Sequence, residues 1–194
     1  MAGHAGDEPT ALAGLDATDP AVRATALGAL DRLGALDDHR LAAALDDPDP
    51  TVRRRAATLA ARRRAVDLLG ALCDPDASVV EAAAWACGER ERVPDEVVDR
   101  LLAIAGDASG DAGALARESA VAALGALGDD RGLDAILAAA GDKPAIRRRA
   151  VLALAPFLDP DHPRAADVAS TLERALSDRD WQVRQAAEDL LPRE

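Results

Sequence analysis

Apolar positions recur along the chain in one pattern that occurs six times. The pattern begins at a reference position held by Val22, Val52, Val79, Ala116, Ile146 and Val183. Alanine stands four residues after every reference position, and apolar side chains stand seven and eight residues after it. On a helix that advances about 100° per residue, these offsets lie on one face. The pattern predicts six amphipathic helices, which we call the reference helices.

Aspartate and proline mark the start of most reference helices. A short carboxylate at this place accepts hydrogen bonds from the free backbone N–H groups of the first turn. Pro20 and Pro50 follow at the first helical position, where a missing N–H costs nothing. Gly113 and Lys143 depart from the pattern. Four N-cap residues are therefore predicted: Asp19, Asp49, Asp76 and Asp180.

A second apolar segment lies between each two consecutive reference helices, and it is predicted to be helical as well. The segments contain Leu41 and Leu45; Val66, Leu69 and Leu72; Val97, Leu101 and Ile104; Leu133, Ile136 and Leu137; and Val168, Leu172 and Leu176. Neither helix of such a pair can bury its apolar stripe alone, so successive pairs must stack. The predicted fold class is all-α, an α-solenoid of about six helix pairs.

One domain is predicted over residues 9–194, and residues 1–8 are expected to form a disordered tail. Aromatic residues make up only 2% of the chain, which favours closely spaced helices with short side chains between them. Cys73 and Cys87 lie in apolar helical patterns and are expected to be buried free thiols. No segment suggests a signal peptide or a bilayer span, so we expect a cytoplasmic protein without membrane contact.

The repeated motifs resemble HEAT-like repeats of the kind first described in phycobilisome bilin lyases, the PBS-lyase HEAT-like repeats. The similar segments are "DPAVRATALGAL", "DPTVRRRAATLA", "ARESAVAALGALGDDRGLDAILAAA" and "IRRRAVLALA". The resemblance extends from Thr10 to Leu191. It implies a right-handed superhelix of helix pairs, and it implies a binding surface, since the family mostly supplies such surfaces.

An arginine directly follows five of the six reference positions, and only Val80 departs. The five are Arg23, Arg53, Arg117, Arg147 and Arg184. Their offset lies within the apolar arc, where a guanidinium cannot be buried without a partner. Acids in the neighbouring turns are Asp46, Asp47, Asp74, Asp130 and Asp178. The resemblance implies an arginine–aspartate ladder that joins repeats, and the predicted ladder consists of the five arginines together with Asp19, Asp49, Asp76 and Asp180.

Six residues outside the apolar stripe are candidates for contact with a partner: Arg54, Arg55, Arg148, Arg149, Trp85 and Trp181. The arginines lie at offsets two and three, where other repeats carry glutamate, so an ordinary solvated outer face explains them simply. Tryptophan is enriched at binding hot spots, but it also packs across repeat junctions. Packing is favoured for Trp85, and the two interpretations are equally supported for Trp181.

No catalytic, cofactor-binding or metal site is predicted. His4, His39 and His162 are far apart and form none of the His-Glu pairs that hold iron in some HEAT-like hydroxylases. The chain contains no glycine-rich phosphate loop and no nucleophile motif.

The predicted function is a non-catalytic adaptor that presents a curved helical surface to another protein. Two alternatives stay open. Some alkylpurine DNA glycosylases are HEAT-like solenoids, and Trp85, Glu89 and Trp181 could supply the aromatic and carboxylate groups of such a site. The net charge of -12 argues against nucleic acid as a partner. Bilin attachment is the other alternative, which the resemblance raises and no residue of the chain identifies.

Overall fold

The computed structural model of the chain describes residues 8–107 and 113–191. Within these residues all regular secondary structure is helical. The α-helices are α1 (Glu8–Gly14), α2 (Pro20–Leu33), α3 (Asp38–Ala44), α4 (Pro50–Leu59), α5 (Ala77–Gly88), α6 (Asp95–Gly106), α7 (Ala114–Leu127), α8 (Leu133–Ala139), α9 (Pro144–Ala153), α10 (Ala165–Leu176) and α11 (Trp181–Leu190). No helix in the described residues is long and apolar enough to cross a membrane.

Local sequence explains where the reference helices begin and end. The carboxylates of Asp19, Asp49, Asp76 and Asp180 each accept a hydrogen bond from the backbone N–H two residues later, at 2.8 to 2.9 Å. These bonds satisfy donors that the first turn of a helix leaves free. Helices α2 and α7 end at Gly34 and Gly128, whose φ angles of 71° and 61° favour glycine.

The helices form two rows. The reference helices α2, α4, α5, α7, α9 and α11 make one continuous row in which each helix packs against the next. The outer helices α1, α3, α6, α8 and α10 form the second row, and each packs against the reference helix that follows it. The buried side chains make one continuous core between the rows. Because each pair buries its apolar face only against its neighbours, stacking is what stabilises the fold.

Small residues let the reference helices approach closely. The alanine four residues after each reference position is buried in every repeat. A Cβ atom added to Gly125 would lie 2.5 Å from the Cα atom of Ala153, and one added to Gly88 would lie 3.0 Å from the Cα atom of Ala123. The outer helices pack less extensively against one another. We call the exposed surface of the reference row, which is turned away from the outer helices, the inner face.

The third repeat departs from the prediction of a helical second segment. Residues 63–70 form turns, and only Ala71–Cys73 adopts a short 3-10 helix. The buried Arg90 compensates, because its Nη2 donates to the carbonyl oxygens of Ala60 and Val66 at 2.8 and 3.0 Å. The segment is too short for a full helix, which explains the spacing of 27 residues between this repeat and the one before it.

Three other predictions concern single residues. Glu8, assigned to the tail, is the first residue of α1, whereas the rest of that segment and His4 lie outside the described residues. Cys87 is buried, and burial raises the pKa of its thiol to about 11. Cys73 is exposed, because the missing outer helix of the third repeat leaves its turn uncovered. The prediction of two buried thiols is therefore wrong for Cys73.

Candidate functional site

Bidentate arginine–aspartate pairs connect consecutive repeats. Arg23 donates from Nε and Nη2 to the two carboxylate oxygens of Asp47 at 2.8 and 2.7 Å. Its Nη1 donates to the carbonyl oxygen of Ala17 at 2.9 Å, so the guanidinium spans two turns. The same arrangement recurs with Arg53 on Asp74, at 2.7 and 2.9 Å, and with Arg147 on Asp178, at 2.8 and 2.7 Å. Each pair joins the start of one reference helix to the turn before the next.

The remaining two arginines of this set bind differently. Arg117 donates to the carboxylate of Asp142 and, from Nε, to the carbonyl oxygen of Ala105 at 3.4 Å. Arg184 lies in α11, the last helix of the described residues, and donates to the carbonyl oxygen of Asp178 at 2.7 Å. Asp142 was not among the predicted partners, and it stands four residues before its reference position, whereas Asp47, Asp74 and Asp178 stand five before theirs.

The acids of these pairs are not the capping aspartates that the sequence analysis placed in the ladder. Asp19, Asp49, Asp76 and Asp180 accept from the backbone of their own helices. The pairing acids stand two residues earlier in three repeats. Asp74, for example, receives the hydrogen bonds of Arg53 and also accepts from the backbone N–H of Asp76 at 2.8 Å. Of the other acid candidates, Asp130 lies 3.3 Å from the imidazole of His162.

The pairs shift the acidity of the aspartates. Hydrogen bonds from the partner arginines lower the pKa of the Asp47, Asp74 and Asp178 carboxyls below their ordinary value of 3.8, and backbone N–H groups add to the effect. The aspartate side chains are largely covered, so water solvates their carboxylates poorly. Each guanidinium compensates the negative charge of its carboxylate. We propose that these pairs stabilise the stacking of repeats, in line with the ladder that the resemblance implies.

A groove lies on the inner face of the reference row. We call it the Trp85 groove, and it has a volume of roughly 380 Å³. It is lined by Arg54, Thr58, Glu81, Ala82, Trp85, Leu115, Glu118, Ser119 and Arg149. These residues belong to α4, α5, α7 and α9, so the groove crosses four consecutive reference helices. Trp85 is 45% exposed and Leu115 is 60% exposed, which gives the groove an apolar surface between charged residues.

The four arginine candidates lie on this inner face, and they do not form an ordinary outer surface. Arg149 pairs with Glu118, its Nη2 lying 3.2 Å from Oε1. Arg55 is half-buried and its guanidinium lies over Gly28, where an added Cβ atom would be 2.2 Å from Nη2. Arg54 and Arg148 are exposed at the same helical offset. Side chains of neighbouring helices make this face a groove, and the sequence of a single helix does not reveal that.

The two tryptophans occupy separate places. Trp85 is in the groove, so the expectation that packing would cover it is corrected by its exposure. Trp181 begins α11, is 64% exposed and is not among the groove residues. Glu89, the carboxylate considered for a glycosylase site, is exposed at the end of α5. The structure thus does not bring Trp181 to Trp85 and Glu89, since α7 and α9 stand between α5 and α11.

Leu115 is a large apolar groove residue that was not among the candidates predicted from the sequence. It stands one residue before the reference position of its repeat, outside the apolar stripe. The available signal for an exposed apolar surface was a large aliphatic side chain outside the stripe. This side chain stands in the repeat that follows the one containing Trp85.

No group of three or more histidine, cysteine, aspartate or glutamate residues within the described part of the chain has the geometry of a metal site. His162 faces the ring of Phe157 edge-on at 5.8 Å and lies near Asp130, away from the groove. His39 is exposed.

Comparisons with known proteins agree with this architecture. Residues 38–117 match the family model described as HEAT repeats. No curated protein matches the chain in sequence. Among solved structures, one described as an engineered protein shares 18% identity with a TM-score of 0.62, and the alignment covers 95% of each chain.

Two further structures are designed armadillo repeat proteins. One, in complex with the peptide (KR)4, is 17% identical with a TM-score of 0.64, and the alignment covers 95% of this chain and 98% of that one. The other, computationally designed for modular peptide recognition, is 19% identical with a TM-score of 0.59, and coverage is 96% and 100%. At these identities the likeness shows the fold alone.

The fold is thus a helical-repeat solenoid of the armadillo and HEAT class, as the sequence predicted. Residues 38–117 match the HEAT-repeat family model, and the described helices before and after them continue the same two-row architecture.

Proposed function

We propose that this chain is a non-catalytic protein-interaction scaffold that holds a segment of a partner protein in the Trp85 groove. The observation that supports the proposal is an indole left half-exposed in a depression that crosses four helices. Burying such a side chain against a partner removes a large apolar area from water, and tryptophan is among the residues that most often dominate binding energy.

The fold supports the same proposal. A solenoid presents one long inner surface made of corresponding positions in successive repeats, which suits an extended partner segment. The designed armadillo repeat proteins of the same fold are described as peptide-bound in one case and as made for peptide recognition in the other. Glu81 and Glu118 line the groove and would repel phosphates, so a nucleic-acid partner gains no support from it.

A differential capture experiment tests the proposal. Tagged wild-type chain, Trp85→Ala and Trp181→Ala are used as baits in extracts of the source cells, after circular dichroism has verified that all three fold. We expect a defined protein to be recovered by wild type and Trp181→Ala and to be depleted about fivefold or more with Trp85→Ala. Equal recovery of every bound protein by wild type and Trp85→Ala would contradict the proposal.

A further inference from the structure

We propose that the partner segment is acidic, with an aliphatic or aromatic side chain at its centre that packs on Trp85. This inference rests on the proposed function and adds the chemistry of the occupant. It follows from three properties of the inner face, namely the location of the unpaired arginines, the local sign of charge and the position of the apolar surface.

Three arginines with unpaired side chains lie on the inner face. The side chains of Arg54, Arg55 and Arg148 make no hydrogen bond or ion pair within the described residues, whereas the ladder arginines one or two positions earlier are bound to carboxylates or carbonyl groups. Unpaired guanidinium groups on α4 and α9 retain their capacity to bind carboxylates in bidentate geometry. An acidic segment would supply the acceptors that the chain itself does not.

The local charge differs in sign from that of the whole chain. The formal net charge of the chain is -12. On the inner face from α4 to α9, four arginines stand against Glu81 and Glu118, and Glu118 is already paired with Arg149. A positive strip on an acidic molecule attracts an anionic segment to this strip and away from the rest of the surface.

The apolar surface lies between the two groups of arginines. Trp85 on α5 and Leu115 on α7 lie between Arg54 on α4 and Arg149 on α9 in the groove, and Arg148 is exposed next to Arg149. Three interhelical steps of about 8–10 Å give a span of roughly 24–30 Å, which an extended segment of about eight or nine residues covers. The complementary segment therefore has acids near both ends and an apolar residue in the middle.

Nucleic acid is the less favoured polyanion. A base could stack on Trp85, but the phosphates on either side of it would meet Glu81, and few cations are present to offset this repulsion. An acidic peptide can place uncharged residues opposite Glu81 and carboxylates only opposite the arginines.

The test uses fluorescent ten-residue peptides and the full chain. The acidic probe has carboxylates at both ends and a central Leu-Phe pair. The amide probe and the basic probe replace these carboxylates by amides and by basic residues. A ten-nucleotide single-stranded DNA is the fourth ligand. Binding is followed by anisotropy and, in Trp181→Phe, by the emission of Trp85. We expect the acidic probe to bind about tenfold more tightly than the amide probe, to weaken with added salt and to shift the Trp85 emission.

Two charge-reversed double variants locate the binding. Arg54→Glu with Arg148→Glu should weaken the acidic probe by about tenfold or more. Arg92→Glu with Arg32→Glu is the matched control, since both arginines are exposed outside the groove lining and the net charge changes equally. This control should leave the affinity for the acidic probe within about twofold of wild type.

The remaining outcomes distinguish a failure of the acidic-segment inference from a failure of the proposed function. Equal binding of the acidic and amide probes, both shifting the Trp85 emission, would overturn the inference about charge and leave the proposed function in place. Tighter binding of DNA than of the acidic probe, or no acidic-probe binding up to about 1 mM, would also overturn the inference. The proposed function fails separately, if no protein captured by the wild-type chain depends on Trp85.

Discussion

Consecutive arginines in the segment 53–55 have different environments because each residue advances about 100° around the helix. Arg53 points along the row, binds Asp74 through Nε and Nη2, and donates from Nη1 to the carbonyl oxygen of Asp47. Arg54 points to the inner face and is exposed, and Arg55 lies over Gly28. Arginine therefore supplies a structural contact at position 53 and a candidate binding group at position 54. The difference of one position along the helix determines the role.

Removal of a ladder arginine should destabilise the chain. Arg53→Gln leaves Asp74 largely covered and without its cation, and we expect a loss of about 2–4 kcal/mol in the free energy of unfolding. Arg54→Gln is the matched control on the next residue, and it should change the free energy by less than about 0.5 kcal/mol. Urea denaturation measures both. Equal effects of the two substitutions would show that the pair adds no stability.

The same pair predicts a pH dependence. The pKa of Asp74 is lowered in the folded chain, so its contribution to stability is full above the ordinary value of 3.8 and is lost as the pH falls through the lowered value. The stability difference between wild type and Arg53→Gln should thus be largest near neutral pH and shrink as the pH falls below 3.8. A difference that stays constant or grows during acid titration would exclude this linkage.

The sequence predicted the positions of the ladder arginines better than the identity of their acids. Arginine recurs at a fixed offset, and burial without a partner is unfavourable, so the need for an acceptor was evident. Several aspartates stood in each turn, and only the path of the turn decides that Asp47 faces Arg23 while Asp49 caps α4.

At the scale of elements, the third repeat replaces an outer helix by turns and one buried arginine. Arg90→Met keeps a similar length but removes the side-chain donor to the carbonyl groups of Ala60 and Val66, of which Ala60 keeps a hydrogen bond from the backbone N–H of Arg63. We expect a loss of about 1–3 kcal/mol in stability and faster hydrogen exchange at residues 60–73. Arg92→Met, in an exposed turn, is the control and should change neither. Unchanged exchange in Arg90→Met would contradict the role assigned to this side chain.

The close approach of reference helices predicts a position where alanine is too large. Gly125→Ala would place a Cβ atom 2.4 Å from that of Ala153, so we expect destabilisation of about 1–3 kcal/mol despite the better helix propensity of alanine. Gly70→Ala has no neighbouring atom within 4 Å and is the control, with no loss expected. Thermal unfolding compares the two. A stabilised Gly125→Ala chain would mean that α7 and α9 are farther apart than described.

The sequence predicted the helices correctly where the repeat was regular. The six reference helices, with their caps and apolar stripes, were predictable from local pattern alone. The missing outer helix was not, because Val66, Leu69 and Leu72 have helical spacing in a segment that the neighbouring helices leave too short. Apolar periodicity indicates which side chains are buried. The turns around Val66 and Leu72 bury these two side chains as well as a helix would.

At the scale of the whole molecule, the stack creates a surface that no single repeat contains. The Trp85 groove takes residues from four helices, and on the inner face from α4 to α9 four arginines outnumber two glutamates, although the whole chain has a formal net charge of -12. The sequence identified Trp85 and the four arginines as candidates, but their common location required the packing of α4, α5, α7 and α9. Leu115 joined them for the same reason.

Site-specific photo-crosslinking tests most directly the claim that the inner face is the binding surface. Ser119→benzoylphenylalanine places the reactive group in the groove, and Glu96→benzoylphenylalanine places it on the exposed surface of the outer helix α6. Both chains are expressed in the source cells and irradiated. We predict a discrete adduct with a partner protein from position 119 and none from position 96. An adduct from position 96 with none from position 119 would contradict the account.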